Sequence, residues 1–407
     1  MAAERCDCVI VGGGLVGATL ALALAPLGLR VVLVEAHEPA APAQPAFDDR
    51  GLALSLASVN IFRALGVWPA MAAEAAPIRR VHVSERGRFG KLRLEAASIG
   101  QAALGYVITA RAIGAALSAR VADADVVLLC PAAVTGVQAG DAGVRVFLSR
   151  GGEPVELAAR LVIGADGGES AVRDQLGIVA STRSYDQHAI VTNVEPSRPH
   201  EGTAYERFTP GGPCALLPMS GGRCGLVLTA TALELPGFMS LDDAAFLALA
   251  NARYGGFLGE LTRVGARRAW PLRLTRVEAR HAQRAVLVGN AAHVIHPNAA
   301  QGMNLGLRDA ATLAELVAGA VRAGDDPGGA ALLAAYSARR EADEARTVAF
   351  SDGLARVFYN RRQPLASLRH WGLAAIDRVP AAKRHFLRLG TGLAGRPPLL
   401  ALGQGPA

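Results

Sequence analysis

Short runs of uninterrupted apolar residues, each closed by glycine or an acid, punctuate this chain: CVIV at 8–11, VVLV at 31–34, LVIG at 161–164 and VLV at 286–288. A strand with one solvated face alternates apolar and polar positions, whereas a strand covered on both faces does not, so these runs predict buried strands of a parallel sheet. Between the first two, the stretch from about Leu15 to Leu27 is apolar and long enough for a helix. Residues 8–35 therefore read as strand, glycine turn, helix and strand, a βαβ unit. Cys6 and Cys8, two apart at the head of the first strand, are expected on one face of it. Elsewhere the period is two. IRRVHVSERGRFGKLRLEA (78–96) alternates around Gly87 and predicts a hairpin. HAIVTNVE, TAYERFT, CALLPMS, RCGLVLTA and RRAWPLRL, spread over 181–280 and split by glycine and proline turns, predict an antiparallel sheet. A helix ending near Gly66 and another opening at Gln301 complete an α/β pattern.

At 407 residues and 51% hydrophobic, the chain can hold two domains, or one large α/β domain with an insertion. Its net charge is +7, but Lys91 and Lys383 are the only lysines and no block of five or six like charges occurs, which argues against a nucleic-acid-binding arm. Five scattered cysteines give neither a disulfide framework nor zinc spacing and point to a reducing cytoplasm. LVGATLALALAPLG (15–28) has the apolar character of a signal peptide. Asp7 stands where positive charge belongs, however, and three glycines precede the run, so it is expected to be structural. No run reaches the roughly 18 apolar residues of a membrane span.

The candidate chemistry begins in the first glycine turn. Gly12, Gly14 and Gly17 form G-x-G-x-x-G: the first permits the tight turn, the second lets the backbone approach a pyrophosphate, and the third allows close packing of helix on strand. Free N–H groups at the helix start would then meet the phosphates, and Glu35 at the end of the second strand can accept from ribose hydroxyls. NAD and FAD both satisfy this unit.

Three further pieces decide between them. Arg50 lies in a loop before a helix in AFDDRGLALSLASVNIFRALGVW; Asp166-Gly167 and Arg173 follow a strand in LAARLVIGADGGESAVRDQLGI; and VLVGNAAHVIHPNAAQGMNLGLRDA (286–310) runs strand, broken turn, helix. In this order and spacing they resemble the FAD-dependent aromatic hydroxylases, the single-component flavoprotein monooxygenases, and within them the ubiquinone-biosynthesis hydroxylases. The resemblance spans nearly the whole chain, including YERFTPGGPCALLPMSGGRCGLVL (205–228) and the tail from Tyr336 to Gly392. It implies a Rossmann-like FAD domain of the para-hydroxybenzoate hydroxylase type (residues 1–77, 97–180 and 281–345), an inserted, mainly antiparallel β substrate domain (78–96 and 181–280), and a helical C-terminal segment (346–407). It also implies a cofactor-binding set of Gly12, Gly14, Gly17, Glu35, Arg50, Arg111, Asp166, Gly167, Arg173, Gly289, Asn290, Gln301, Gly302, Met303 and Asn304.

Two positions depart from the broad family pattern. Asn290 stands where an aspartate is usual, keeping an acceptor but not its charge, and Ala300 stands where a glycine is usual. The Asn-Ala-Ala is shared with the branch that hydroxylates 2-polyprenyl-6-methoxyphenol. The implied reaction is therefore insertion of one oxygen atom of O2 into a polyprenylated methoxyphenol, with NADPH or NADH reducing FAD and a flavin 4a-hydroperoxide delivering the oxygen. Another ring position, a soluble aromatic substrate and a non-catalytic flavin-binding scaffold are the alternatives. Candidate catalytic residues are Pro297, His296, Tyr205 and Arg207; the plainer readings are a packed sheet aromatic for Tyr205, a surface cation for Arg207 and a loop donor for His296. His293-x-x-His296 has zinc spacing, but Pro297 and the lack of a third ligand speak against a helical metal site, and no metal is expected. LRHWGLAAIDRVPAAKRHFLRLGTGL (368–393) mixes apolar and basic residues and could meet a membrane surface peripherally. Family resemblance also implies a homo-oligomer or a place in a ubiquinone-biosynthesis complex.

Overall fold

A computed structural model describes residues 4–38, 50–88, 90–295, 301–359, 372 and 376–405, with side chains unspecified over 352–359. His296, Pro297 and Ala300 lie outside the described residues.

The apolar tetrads form the middle of a six-stranded sheet in the order His281–Ala282, Ala285–Leu287, Leu161–Gly164, Cys8–Val11, Val31–Val34, Val126–Leu129, parallel except for the first pair. Their unbroken hydrophobicity has a direct cause. Ile10 and Leu33 belong to a core shared with the helices Leu15–Leu24, Ala110–Ala122 and Gln301–Ala323, while Val9, Val11, Val32 and Val34 pack on the opposite side with Val144, Val146 and Leu157. The second layer is itself a sheet, Glu4–Arg5, Glu153–Ala159, Gly143–Arg150 and Ala133–Gly140. Each fully buried aliphatic in this sandwich stabilises the fold by about 1.5–3 kcal/mol.

The expectation that Cys6 and Cys8 share a face is corrected: Cys8 lies in the helix-side core and Cys6 in the sheet-side core. The chain leaves one sheet at Arg5 and enters the other at Cys8, which breaks the alternation between them. All five cysteines are free thiols.

The segments 80–95 and 180–277 meet in a single large sheet. Its order is His293–Val294, Arg268–Val277, Ala180–Pro196, Cys224–Thr231, Gly212–Pro218, Thr203–Thr209, Arg80–Glu85, Lys91–Glu95, with Leu261–Val264 paired to one end of the long strand. The hairpin around Gly87 is present, and all pairings are antiparallel but one: Thr203–Thr209 runs parallel to Arg80–Glu85 and stitches the two segments together. The helix Asp243–Tyr254 covers one face of this sheet. Gly51–Ser55, Gly105–Thr109 and Ala76–Ile78 form a small sheet between the two large ones. At the C-terminus the helix Ala330–Tyr359 runs through residue 346 and is followed by the helix Pro380–Gly390.

Candidate active site

The glycine turn joins the strand Cys8–Val11 to the helix Leu15–Leu24, and its three glycines are required for three different reasons. Gly12 has φ +103°, and a Cβ there would stand 2.5 Å from the carbonyl oxygen of Ala165. A Cβ on Gly17 would stand 1.9 Å from the carbonyl oxygen of Gly12, so helix and strand touch backbone to backbone. At Gly14 a Cβ would meet nothing within 4 Å. The space over Gly14 is open, and the helix begins there with no side chain capping it. Uncapped N–H groups facing open space are what a pyrophosphate needs. Glu35 fixes the turn: Oε2 accepts from Gly13 N–H at 2.7 Å and Oε1 from His37 N–H at 2.9 Å. Each oxygen keeps a lone pair for a ribose hydroxyl.

Asp166 and Gly167 follow the neighbouring strand Leu161–Gly164. Asp166 accepts from Ser170 Oγ at 2.5 Å and from Val172 N–H at 3.1 Å, and so holds in place Ser170, the N-cap of the helix Ala171–Gln175, whose Oγ accepts from Arg173 N–H. The buried Arg173 reaches back to the carbonyls of Gly168 (2.9 Å) and Ala291 (3.4 Å) and joins this loop to the one after the strand Ala285–Leu287. That second loop holds Gly289 and Asn290. A Cβ on Gly306 would stand 2.9 Å from Val16 and 3.0 Å from Gly289, which shows how tightly the helix Gln301–Ala323 is pressed onto the turn. Asn304 is itself buried. It accepts from Ser55 N–H (2.8 Å) and Ser58 Oγ (2.7 Å) and donates to Ala53 O (2.9 Å), tying the helix start to the strand Gly51–Ser55.

A cavity of about 480 Å³ opens between these loops and the large sheet. Arg50, Asn290, Gln301, Gly302 and Met303 line one end of it. The half-buried Arg50 places its guanidinium 4.4 Å from the Trp270 ring centroid, and burial, then the charge of Arg268, hold its pKa below the ordinary arginine value. The rest of the wall is mainly apolar: Val83, Leu92, Val191, Ala215, Leu217, Phe350 and Phe386 contribute to it. Of the sequence candidates, Tyr205 borders the cavity, yet its ring stacks on Phe257 at 5.3 Å and lies edge-on to His82 at 5.6 Å. Arg207 sits over Phe257 at 4.9 Å and is not among the cavity lining. Alternation puts both side chains on the sheet face turned toward the helix Asp243–Tyr254. Arg111 is at the start of the helix Ala110–Ala122, 3.6 Å from Glu74.

Sequence reasoning missed a buried ionic chain behind the turn. Asp309 accepts from Gly289 N–H (2.9 Å), His293 Nε2 (2.6 Å) and Arg340 Nε (2.5 Å). Arg340 continues to Asp343 (2.7 Å), and Asp343 to Arg308 (2.8 Å). Burial works to raise the Asp309 pKa, but Arg340, His293 and the Gly289 N–H overcome it and hold the carboxyl far below the usual carboxylate range. The His293 ring is thus committed to Asp309, and its Nδ1 has no partner among the described residues.

Comparison with known proteins agrees with this geometry. Residues 5–351 match the family model described as FAD binding domain. The chain belongs to this FAD-binding family. It is 40% identical to the ubiquinone hydroxylase UbiL of Rhodospirillum rubrum, covering 98% of this chain and 92% of that one. It is 34% identical to the 3-demethoxyubiquinol 3-hydroxylase of Escherichia coli, covering 97% and 100%. In fold it is similar to p-nitrophenol 4-monooxygenase PnpA of Pseudomonas putida, with a TM-score of 0.80, 18% identity, and coverage of 97% and 99%. The protein is an FAD-dependent aromatic monooxygenase, a class whose typical co-substrates are NAD(P)H and O2. The residues present fit the cofactor: the open cradle at Gly14 suits the pyrophosphate, Glu35 the ribose, and the end of the cavity lined by Arg50, Asn290 and Gln301–Met303 the ring system. When bound, FAD supplies the redox chemistry that activates O2. The chain must place the aromatic ring beside it and keep water out.

Proposed function

We propose that this enzyme hydroxylates 2-polyprenyl-6-methoxyphenol para to its hydroxyl, giving the 1,4-benzoquinol in ubiquinone biosynthesis. The observation that carries this reading is the cavity: its wall over the large sheet is mainly aliphatic, its polar end lies toward the flavin-binding loops, and it is of the size that takes a drug-sized aromatic. A small polar aromatic would leave most of that wall unused, whereas a ring bearing isoprenyl units covers it. Asn290 in place of an acid, in the Asn-Ala-Ala sequence, supports this branch of the family. A second reading places the new hydroxyl at another ring position, as the name of the Escherichia coli relative describes for that protein. In either case the prenyl chain outgrows the cavity, which favours peripheral contact with a membrane or a partner in a multi-enzyme complex. None of the described helices is long and apolar enough to cross a membrane.

The test is mass spectrometry of quinone lipids from a strain lacking this gene. Accumulation of 2-polyprenyl-6-methoxyphenol, cleared when the gene is restored, is the expected result; accumulation of a different intermediate moves the assignment to that ring position, and normal quinone refutes both. Arg50→Ala is expected to weaken FAD binding tenfold to hundredfold, about 1.4–3 kcal/mol for a charge-assisted contact in a partly dry site, and to rescue poorly. Flavin titration of the purified variant checks this directly.

A further inference from the structure

The wall of the cavity formed by the large sheet contains one acid. Strand pairing sets Leu92, Val83, Glu206, Ala215, Val227 and Val191 opposite one another in a single row across five strand pairings, and all six line the cavity. Residues directly opposite across a sheet share a face, so Glu206 projects from the middle of an otherwise aliphatic surface. Along its own strand the cavity-facing neighbours are Ala204 and Phe208. No hydrogen bond or ion pair holds Glu206 among the described residues, and Arg50 is the other charged side chain of the described lining. An unpaired carboxyl in an apolar wall is costly to maintain, and it is placed where an aromatic hydroxyl would supply the missing hydrogen bond.

We propose that Glu206 is a catalytic residue that receives the proton of the substrate's phenolic hydroxyl during oxygen transfer. This rests on the reading that the substrate is a phenol bound in this cavity. As the ring carbon bonds to the incoming oxygen atom, the O–O bond of activated dioxygen breaks with its electron pair on the departing oxygen. The phenolic O–H bond breaks at the same time. Its electron pair becomes the second bond of a ring carbonyl, and its proton passes to a carboxylate oxygen of Glu206. The proton on the attacked carbon passes to the departing oxygen, which ends as water, and its C–H electron pair restores the aromatic ring as the carbonyl oxygen recovers the proton held by Glu206. The carboxylate is thereby regenerated, and NAD(P)H and O2 account for the electrons and the oxygen.

The surroundings suit this exchange. Burial, with no charge opposing it, pushes the Glu206 carboxyl up to about 7, between a free carboxylate and a phenol. On the other face of the same and adjoining strands, Cys214 is pushed up to about 12 by burial and stays a thiol, and burial followed by Lys91 and Arg93 lowers His82. Arg207 and Tyr205 share that face. From the other elements around the cavity, Phe350, Phe386, Leu387 and Met303 bring no titratable group, which among the described residues leaves Arg50 at the flavin end.

The experiment uses flavin-loaded wild type, Glu206→Gln and Glu206→Asp with 2-geranyl-6-methoxyphenol as probe, measuring calorimetric affinity and hydroxylated product across about pH 5.5–8.5. Flavin content and melting temperature establish that each variant is folded. In wild type, affinity and product formation both rise several-fold with a midpoint near 7 as the carboxylate forms. In Glu206→Gln the rise is lost, product per turnover falls at least tenfold while NAD(P)H is still oxidised, and Glu206→Asp restores a pH-dependent limb. If wild type hydroxylates the probe and Glu206→Gln keeps its rate and profile, the role of Glu206 is overturned and the proposed reaction stands. If wild type makes no product yet its binding still shows the limb that Gln removes, the reaction is wrong and Glu206 remains the acceptor for a phenol. Absence of product together with pH-independent binding overturns both.

Discussion

Gly14→Val is expected to purify folded and colourless. The residue lies in extended backbone at φ −65° and ψ −175°, which valine accepts readily, and among the described residues nothing beyond its own chain neighbours stands within 4 Å of the position its Cβ would take. The cost to the apoprotein is that of a poorer helix N-cap, about 1 kcal/mol or less, so the melting temperature should move by no more than a few degrees. The added methyls fill the space in which the pyrophosphate must approach the backbone, and flavin affinity should fall by about a hundredfold or more. Gly17→Ala provides the contrast. Its Cβ would fall 1.9 Å from a carbonyl oxygen, so the helix must move off the strand and the whole βαβ unit loosens, a loss of about 1–3 kcal/mol or more before any ligand is considered. Absorbance near the flavin band and thermal melts on both variants separate the two effects. A yellow, fully loaded Gly14→Val protein would mean that the phosphates do not cross this turn.

That contrast also shows what the sequence could convey. The βαβ unit was legible because its chemistry is local: glycines, a helix start and a terminal acid lie within about thirty residues, and strands buried on both faces leave unbroken apolar tetrads. The sheet Ala133–Ala159 was not, since AVTGVQAG and EPVELAA interleave small and polar residues and one side of this sheet is wet. Glu206 was overlooked between Tyr205 and Arg207, whose side chains suggest more familiar chemistry. Which of the two alternating sets faces the cavity depends on the register with Val83 and Ala215, a fact no single strand contains. The available signal was a lone acid where Ala204 and Phe208 predict an apolar face. Asn304, a cofactor candidate from the sequence, lines the cavity, and the bonds of its amide to Ala53, Ser55 and Ser58, which tie the helix start to the strand Gly51–Ser55, are visible only in the fold.

The ionic chain behind the turn was the least legible feature, because its members come together only when two helices pack. Arg308 and Asp309 interrupt an otherwise apolar helix face, but nothing in the sequence points to Arg340 and Asp343 as their partners. Their geometry leads to the second large effect: Asp309→Asn is expected to destabilise the protein by about 3–5 kcal/mol near neutral pH. Asparagine leaves the Arg340 charge buried without its nearest anion, and it can no longer accept from Gly289 N–H, His293 and Arg340 with a full negative charge. Because Gly289 precedes Asn290 at the cavity, flavin retention should decline with stability. The pH dependence has a definite sign. The folded-state pKa of Asp309 is depressed below its unfolded value, so its contribution is fully present above about pH 4 and is lost as the pH falls below that. The deficit of Asp309→Asn should accordingly be flat from about pH 5 to 9 and narrow in acid. Denaturant unfolding at several pH values measures it. A neutral-pH difference under about 1 kcal/mol would show that the helix pair and the flavin turn are held by packing alone. The double variant Asp309→Leu with Arg340→Met provides the discriminating comparison. If the single variant fails through an uncompensated buried charge, removing both charges should recover much of the lost stability, whereas a role in shaping the Gly289 turn would leave the double variant stable and still poor at retaining flavin.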